Sequence, residues 1–283
     1  MFDTFKNRLE ITGTLTTVTA LRISKGRSTE PIGSDLPVIK DALGRPLIPG
    51  SSFKGALRSR LESFLRSIDP NLAEDPANYT STTRNNQVKD LKEKHKNNDF
   101  ELTQQLIGIT DDIGSLFGTP WMASKFQVRD LTVQPDAWFG QYQERDGVAI
   151  DRDTETAADG KLYDFQVVPA GTPFDFKAVV ENAKEWELGL LAIGLHQFET
   201  EQIPLGGGRS RGLGVVKLDI KEMNWVDVED HPEFLLEYLQ KLVRGDESAY
   251  EDAADYKDEW VQKLIEKLSP KETKSSETLT QTQ

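Results

Sequence analysis

The feature that most constrains the fold is an apolar helical face behind a Pro-Gly-Ser-Ser turn. In segment 48–62, IPGSSFKGALRSRLE, and just beyond it, Phe53, Ala56, Leu57, Leu61, Phe64 and Leu65 recur at helical spacing. They fall on one side of a helix, and that side must be buried. A second such face, Leu188, Leu191, Ala192, Leu195 and Phe198, lies within 184–199. Two helices with one apolar side each need a common layer to cover them.

The segments around these helices supply that layer. Residues 8–24, RLEITGTLTTVTALRIS, begin with alternating Leu9, Ile11 and Leu15 and are rich in Thr and Val, which predicts a half-buried strand. Residues 125–133, KFQVRDLTV, alternate as a strand, and 164–181 predict two strands joined by Pro-Ala-Gly-Thr-Pro. LGVVKLDI predicts a further strand behind a glycine-rich loop. The order is strand, helix, strand, arm, strands, helix, strand. It predicts an α+β fold with a β-α-β-β-α-β, ferredoxin-like (RRM-like) core over residues 1–220. Residues 69–105 are polar and predict a partly disordered surface insertion. Residues 140–163 are turn-rich and charged around Val148-Ala149-Ile150 and predict a projecting hairpin or arm. An acidic helical extension is expected over 221–268, with helices at 231–245 and 250–268, and a disordered tail over 269–283.

The chain has 283 residues and a net charge of −13, an unpromising sum for a nucleic-acid binder. The distribution matters more. Residues 221–283 hold 16 Asp and Glu against 8 Lys and Arg, a net of −8. Local potential, not the total, decides whether a phosphate binds. The absence of cysteine excludes disulfides and cysteine nucleophiles and fits a reducing compartment such as the cytoplasm. No apolar run approaches the ~18 residues of a membrane span, and the N-terminal residues lack a signal-peptide core. A soluble protein is expected.

Two segments offer cations and backbone N–H groups to phosphate. Ser51 or Ser52 can cap the first helix, and Lys54 and Arg58, four apart, share a second, exposed face near its positive end. The bland reading is a solvated face with an Arg58–Glu62 pair. The loop LGGGRSRGLG places Arg209 and Arg211 around Ser210 behind Gly207 and Gly208. A plain helix-to-strand connection has no need of two arginines, and glycines let backbone approach an anion. Arg22, at the end of the first strand, is a further RNA-facing candidate. His95, His196 and His231 have no metal-site spacing.

Three segments in order, PVIKDALGRPLIPGSSFKGALRSRLE, GVAIDRDTETAADGKLYDFQVVPAGTPF and GGGRSRGLGVVKL, carry a resemblance. The chain resembles the RAMP superfamily of CRISPR-associated proteins, and more narrowly the repeated backbone subunit of type III effector complexes. The resemblance covers roughly residues 8–220. It implies binding to guide (CRISPR) RNA, contact with target RNA, and assembly with other RAMP and effector-complex subunits. It implies a β-hairpin thumb at about 140–163, with Val148 and Ile150 as its apolar wedge. It assigns guide-phosphate contacts to Ser51, Ser52, Lys54, Arg58 and the loop around Arg209 and Arg211, and target cleavage to Asp35 in IGSDLPVIKD.

Cutting RNA internally needs a 2′-OH to lose its proton and attack the adjacent phosphate in line. A lone carboxylate can act as base or hold a divalent metal, Mg²⁺ being the expected ion at Asp35. Read without the resemblance, Gly-Ser-Asp is ordinary turn chemistry, and Asp41 belongs to a hairpin turn. The rival functions are a non-cleaving structural guide-RNA-binding subunit and a RAMP endoribonuclease that processes the guide precursor.

Overall fold

A computed structural model describes residues 4–24, 26, 35–228 and 231–269. The strands are β1 (Asn7–Thr17), β2 (Leu47–Ile48), β3 (Phe126–Val128), β4 (Leu131–Thr132), β5 (Gln143–Ile150), β6 (Ala157–Val167), β7 (Pro173–Glu181), β8 (Val216–Asp227) and β9 (Glu251–Asp252). The helices are α1 (Gly50–Ile68), α2 (Pro76–Tyr79), α3 (Thr82–Lys94), α4 (Asp99–Gly108), α5 (Asp112–Phe117), α6 (Glu185–Glu199), α7 (Pro232–Arg244) and α8 (Lys257–Leu268).

The main sheet runs β3-β7-β1-β8-β9, with antiparallel neighbours throughout. Taken with α1 and α6, strands β1, β3, β7 and β8 form the β-α-β-β-α-β arrangement of a ferredoxin-like fold. Leu9, Ile11 and Leu15 of β1, Phe174 and Phe176 of β7 and Val216 and Leu218 of β8 are buried. Their alternation gives the sheet one apolar face. Phe53, Leu57, Leu61 and Leu65 of α1 and Leu188, Leu191, Leu195 and Phe198 of α6 cover it. At the centre Phe53 stacks on Phe198 at 4.3 Å between centroids and meets Phe176 at 4.9 Å.

Several boundaries differ from the sequence reading. The first strand ends at Thr17, and residues 18–24 continue as an extended segment joined to the rest by isolated bridges. The expected strand 125–133 is two short ones: β3 pairs with β7, whereas β4 pairs with β2. The polar insertion is helical rather than disordered. Asp75, Ser81 and Asn98 each accept a backbone N–H at the start of α2, α3 and α4. Such caps satisfy orphan donors without help from an apolar face; α3 buries only Val88. Hydrophobic periodicity was therefore the wrong signal to seek there.

The C-terminal extension is helical but begins later than residue 221, because β8 runs on to Asp227. Its second helix starts at Lys257 rather than 250, since β9 first joins the edge of the main sheet. Helix α8 packs on α6 so closely that a Cβ on Gly189 would lie 2.1 Å from the Trp260 carbonyl oxygen. The expected tail 269–283 lies, apart from Ser269, outside the described residues. No helix among the described residues is long and apolar enough to cross a membrane.

Candidate nucleic-acid interface

Beside the main core lies a small satellite cluster of Ala20, Phe165, Val167 and Leu213, with Leu36 and Tyr163 packed on it. Each comes from a segment the sequence singled out. Ala20 precedes Arg22, Leu36 follows Asp35, Tyr163 to Val167 form the root of the β5–β6 hairpin, and Leu213 closes the glycine loop. The cluster is the platform that brings these segments together.

The backbone joins across it. Leu21 and Val168 exchange N–H···O bonds of 2.9 and 2.8 Å, and Gln166 N–H donates to Leu36 O at 3.1 Å. Gly207 N–H donates to Arg22 O at 2.8 Å, and Gly214 N–H to Ala20 O at 2.9 Å. Gly206 (φ +72°) passes so near that a Cβ would stand 2.1 Å from Arg22 O. Only glycine accepts both that φ and that contact.

Charged groups stand on this platform. Arg209, Ser210 and Arg211 form one exposed 3₁₀ turn, and Gly207 before it is exposed too; Gly208 is half-buried. Arg209 Nε donates to Gly206 O at 3.1 Å, and Arg211 Nη1 to the Tyr163 hydroxyl at 3.2 Å. Both arginines keep further N–H groups for an anion. The Arg22 guanidinium lies 4.6 Å from the centroid of the Phe165 ring. Its sheltered Nε has no hydrogen-bond partner, and neither does Gln166 Oε1. Two of the four such buried polar atoms among the described residues therefore sit here. Orphaned buried groups are rare enough to mark a site that awaits a ligand.

Asp35 is exposed, and its N–H donates to Asp164 Oδ1 at 2.6 Å. A parallel bridge between Leu36 and Phe165 fixes the next residue. Asp35 thus stands at the root of the hairpin, while Val148 and Ile150, 48% and 63% exposed, lie towards its tip. They are not the inner face of a hairpin packed on the body. Tyr163 and Asp164 were missed from sequence. The alternation Tyr163, Phe165, Val167 was the available signal for the tyrosine; Asp164 carried none. Asp41 accepts from the N–H groups of Leu43 and Arg45 and from Arg45 Nε, which makes it a turn residue. Those bonds hold its carboxyl below the usual carboxylate range.

The start of α1 requires corrections. The N-cap is Pro49, and neither Ser51 nor Ser52 caps the helix. Instead the Asp130 carboxylate accepts from Gly50 N–H at 2.8 Å and occupies the positive end of the helix. Lys54 and Arg58 do not share an exposed face. Lys54 Nζ donates to Ser124 Oγ at 2.6 Å and Phe126 O at 2.9 Å. Burial, with the nearby Arg58 charge, pulls its pKa down to about 8. Arg58 donates to Glu62, Gly118 O and the Tyr79 hydroxyl, and lies over the Tyr79 ring. Both cations tie α1 to the insertion and to β3. The four-residue spacing was right, but it could not reveal what lay opposite.

A ferredoxin-like sheet with a projecting hairpin and an arginine-bearing glycine loop defines an α+β protein built to hold an extended anionic chain. The chain belongs to the RAMP superfamily, whose family model matches residues 14–217. It is similar to the CRISPR system Cms endoribonuclease Csm3 of Methanocaldococcus jannaschii, 29% identical over 77% of this chain and 82% of that protein. The Csm3 endoribonuclease of Enterococcus italicus is 24% identical over 78% of this chain and 94% of its own length. That of Mycobacterium tuberculosis is 50% identical over 56 residues, 19% of this chain and 24% of the relative.

Proposed function

We propose that this chain is a guide-RNA-binding backbone subunit of a type III CRISPR effector complex and cleaves guide-paired target RNA through Asp35. The observation that carries this reading is convergence. The satellite cluster holds the Asp35 segment, the hairpin root and the arginine loop against one another. Phosphates of the guide would lie along Arg22 and the Gly207-Gly208-Arg209-Ser210-Arg211 turn. The exposed Val148 and Ile150 would part the duplex and turn a target nucleotide towards Asp35. Exposed Ser51 can add a contact at the edge of this surface, with Ser52 beside it; Lys54 and Arg58 support the frame.

In the reaction, O2′ bonds to phosphorus as the bond to O5′ breaks. The Asp35 carboxylate takes the 2′ proton, and the wedge supplies the in-line geometry. Among the described residues no three His, Cys, Asp or Glu side chains are gathered to hold a metal alone. Mg²⁺ commonly takes only one or two carboxylates together with substrate phosphates, and Asp35 beside an RNA phosphate fits that pattern. When bound, the ion would neutralise charge on the phosphoryl oxygens. Partners in this reading are guide RNA, target RNA and neighbouring effector subunits, in the cytoplasm.

The test is an effector complex assembled with Asp35→Ala, matched target RNA and Mg²⁺. Guide retention should match wild type while target cleavage falls by about 10²-fold or more. Cleavage at the wild-type rate would favour the non-cleaving structural subunit.

A further inference from the structure

The hairpin root holds a second carboxylate for which the proposed reaction has no use. Asp164 Oδ1 accepts the Asp35 N–H at 2.6 Å. This is a charge-assisted bond between a strand and a loop 129 positions away. Its acceptor sits on β6, which the β5 ladder anchors from Gln143↔Val167 onwards. The strand is held by Phe165 and Val167, both buried in the satellite cluster. The loop is held on its other side by Leu36, through its bridge to Phe165 and its carbonyl bond from Gln166. At Asp35 itself the bond to Asp164 is the hydrogen bond that joins the exposed residue to the body.

The location is electrostatically unfavourable for a carboxylate. Asp164 faces Asp146 directly across the β5–β6 ladder, and like charges opposite one another weaken a sheet. The hairpin alone would be better served by a neutral residue at 164. What the carboxylate does is hold the backbone of the residue that bears the base.

We propose that Asp164 is the positioning residue for Asp35. By accepting the Asp35 N–H it fixes the direction in which the Asp35 carboxylate leaves the hairpin root. This rests on the reading of Asp35 as the cleaving residue. Asp164 touches neither RNA nor metal in this role. An acceptor at Oδ1 is what the role requires, and a negative charge is not.

That requirement gives the test. Effector complexes carrying Asp164→Ala, Asp164→Asn and Asp35→Ala are compared under single turnover with matched target RNA. Asp164→Asn keeps an oxygen acceptor and removes one of two facing charges, so the hairpin is not weakened. Asp164→Ala is expected to lower the cleavage rate about tenfold or more, with target affinity and guide retention unchanged. Asp164→Asn is expected to cleave within about twofold of wild type, with the same Mg²⁺ dependence. The proposal is overturned if Asp164→Ala cleaves normally. It is also overturned if Asp164→Asn is as slow as Asp164→Ala, since the charge would then act directly. Asp35→Ala separates the two levels: normal cleavage there removes the reading of Asp35 itself, whereas slow Asp35→Ala with normal Asp164→Ala removes only the positioning role.

Discussion

Gly206 offers a quantitative test of how the arginine loop is held. A methyl group there would stand 2.1 Å from Arg22 O and 2.9 Å from its carbonyl carbon. Ordinary contact begins near 3.4 Å, so the two backbones must separate by about 1.3 Å. Overpacking of this kind costs ~1–3 kcal/mol. The φ of +72° adds ~1 kcal/mol for any residue but glycine. The Gly207 N–H to Arg22 O bond, lost in the separation, adds ~1 kcal/mol. The sum for Gly206→Ala is about 3–5 kcal/mol. Gly212 is the internal control, with φ +78° but nothing within 4 Å of its virtual Cβ. Gly212→Ala should carry the φ strain alone, about 1 kcal/mol. Urea unfolding of the full chain, together with guide-RNA titration, measures both. Gly206→Ala should lose stability and guide affinity well beyond Gly212→Ala. If the two variants agree within ~0.5 kcal/mol in unfolding and bind guide equally, the close approach does not hold the loop.

Neutralising Arg209 and Arg211 together to Gln should weaken guide binding and reduce the slope of log affinity against log salt by about 1.4; an unchanged slope removes this turn from the phosphate path. Lys125 and Glu187, 2% and 1% exposed, form a buried ion pair at 2.5 Å, to which Ser115 and the Lys184 N–H also donate. Glu187→Ala should therefore cost about 3–5 kcal/mol in chemical denaturation, with the double variant Lys125→Met/Glu187→Leu recovering most of it. A loss below ~1 kcal/mol for the single variant would contradict that account. Lys54 ties stability to pH: its folded pKa of about 8 lies below its ordinary 10.5. Between those values the unfolded chain binds the proton more readily, so this residue makes unfolding free energy rise with pH. Lys54→Met should remove that rise, and a wild-type slope in the variant would contradict it.

The core topology was legible because buried helices and half-buried strands leave different periods in a sequence. Phe53 to Leu65 and Leu188 to Phe198 read correctly for that reason, as did the strand that begins at Leu9. The insertion was misread because its helices rest on caps such as Ser81 and Asn98 rather than on an apolar stripe. Arg209 and Arg211 were found because two cations among glycines have no structural errand. Lys54 and Arg58 looked equally free, yet their partners Ser124, Phe126 and Gly118 lie 60 to 72 positions away. Asp164 escaped for the same reason, since what distinguishes it from any strand aspartate is the backbone of a residue 129 positions earlier.

The satellite cluster has one more consequence, in time rather than in space. Ala20, Phe165, Val167 and Leu213 are few beside the main core, so their cluster opens at a lower free energy than the molecule unfolds. The amides of Leu21, Gln166, Val168, Gly207 and Gly214 all close across it. They should exchange hydrogen with solvent as one cooperative unit, faster than those of β1. RNA laid over this face would slow all five together, so that occupancy of the interface is written in the exchange rate of the backbone beneath it.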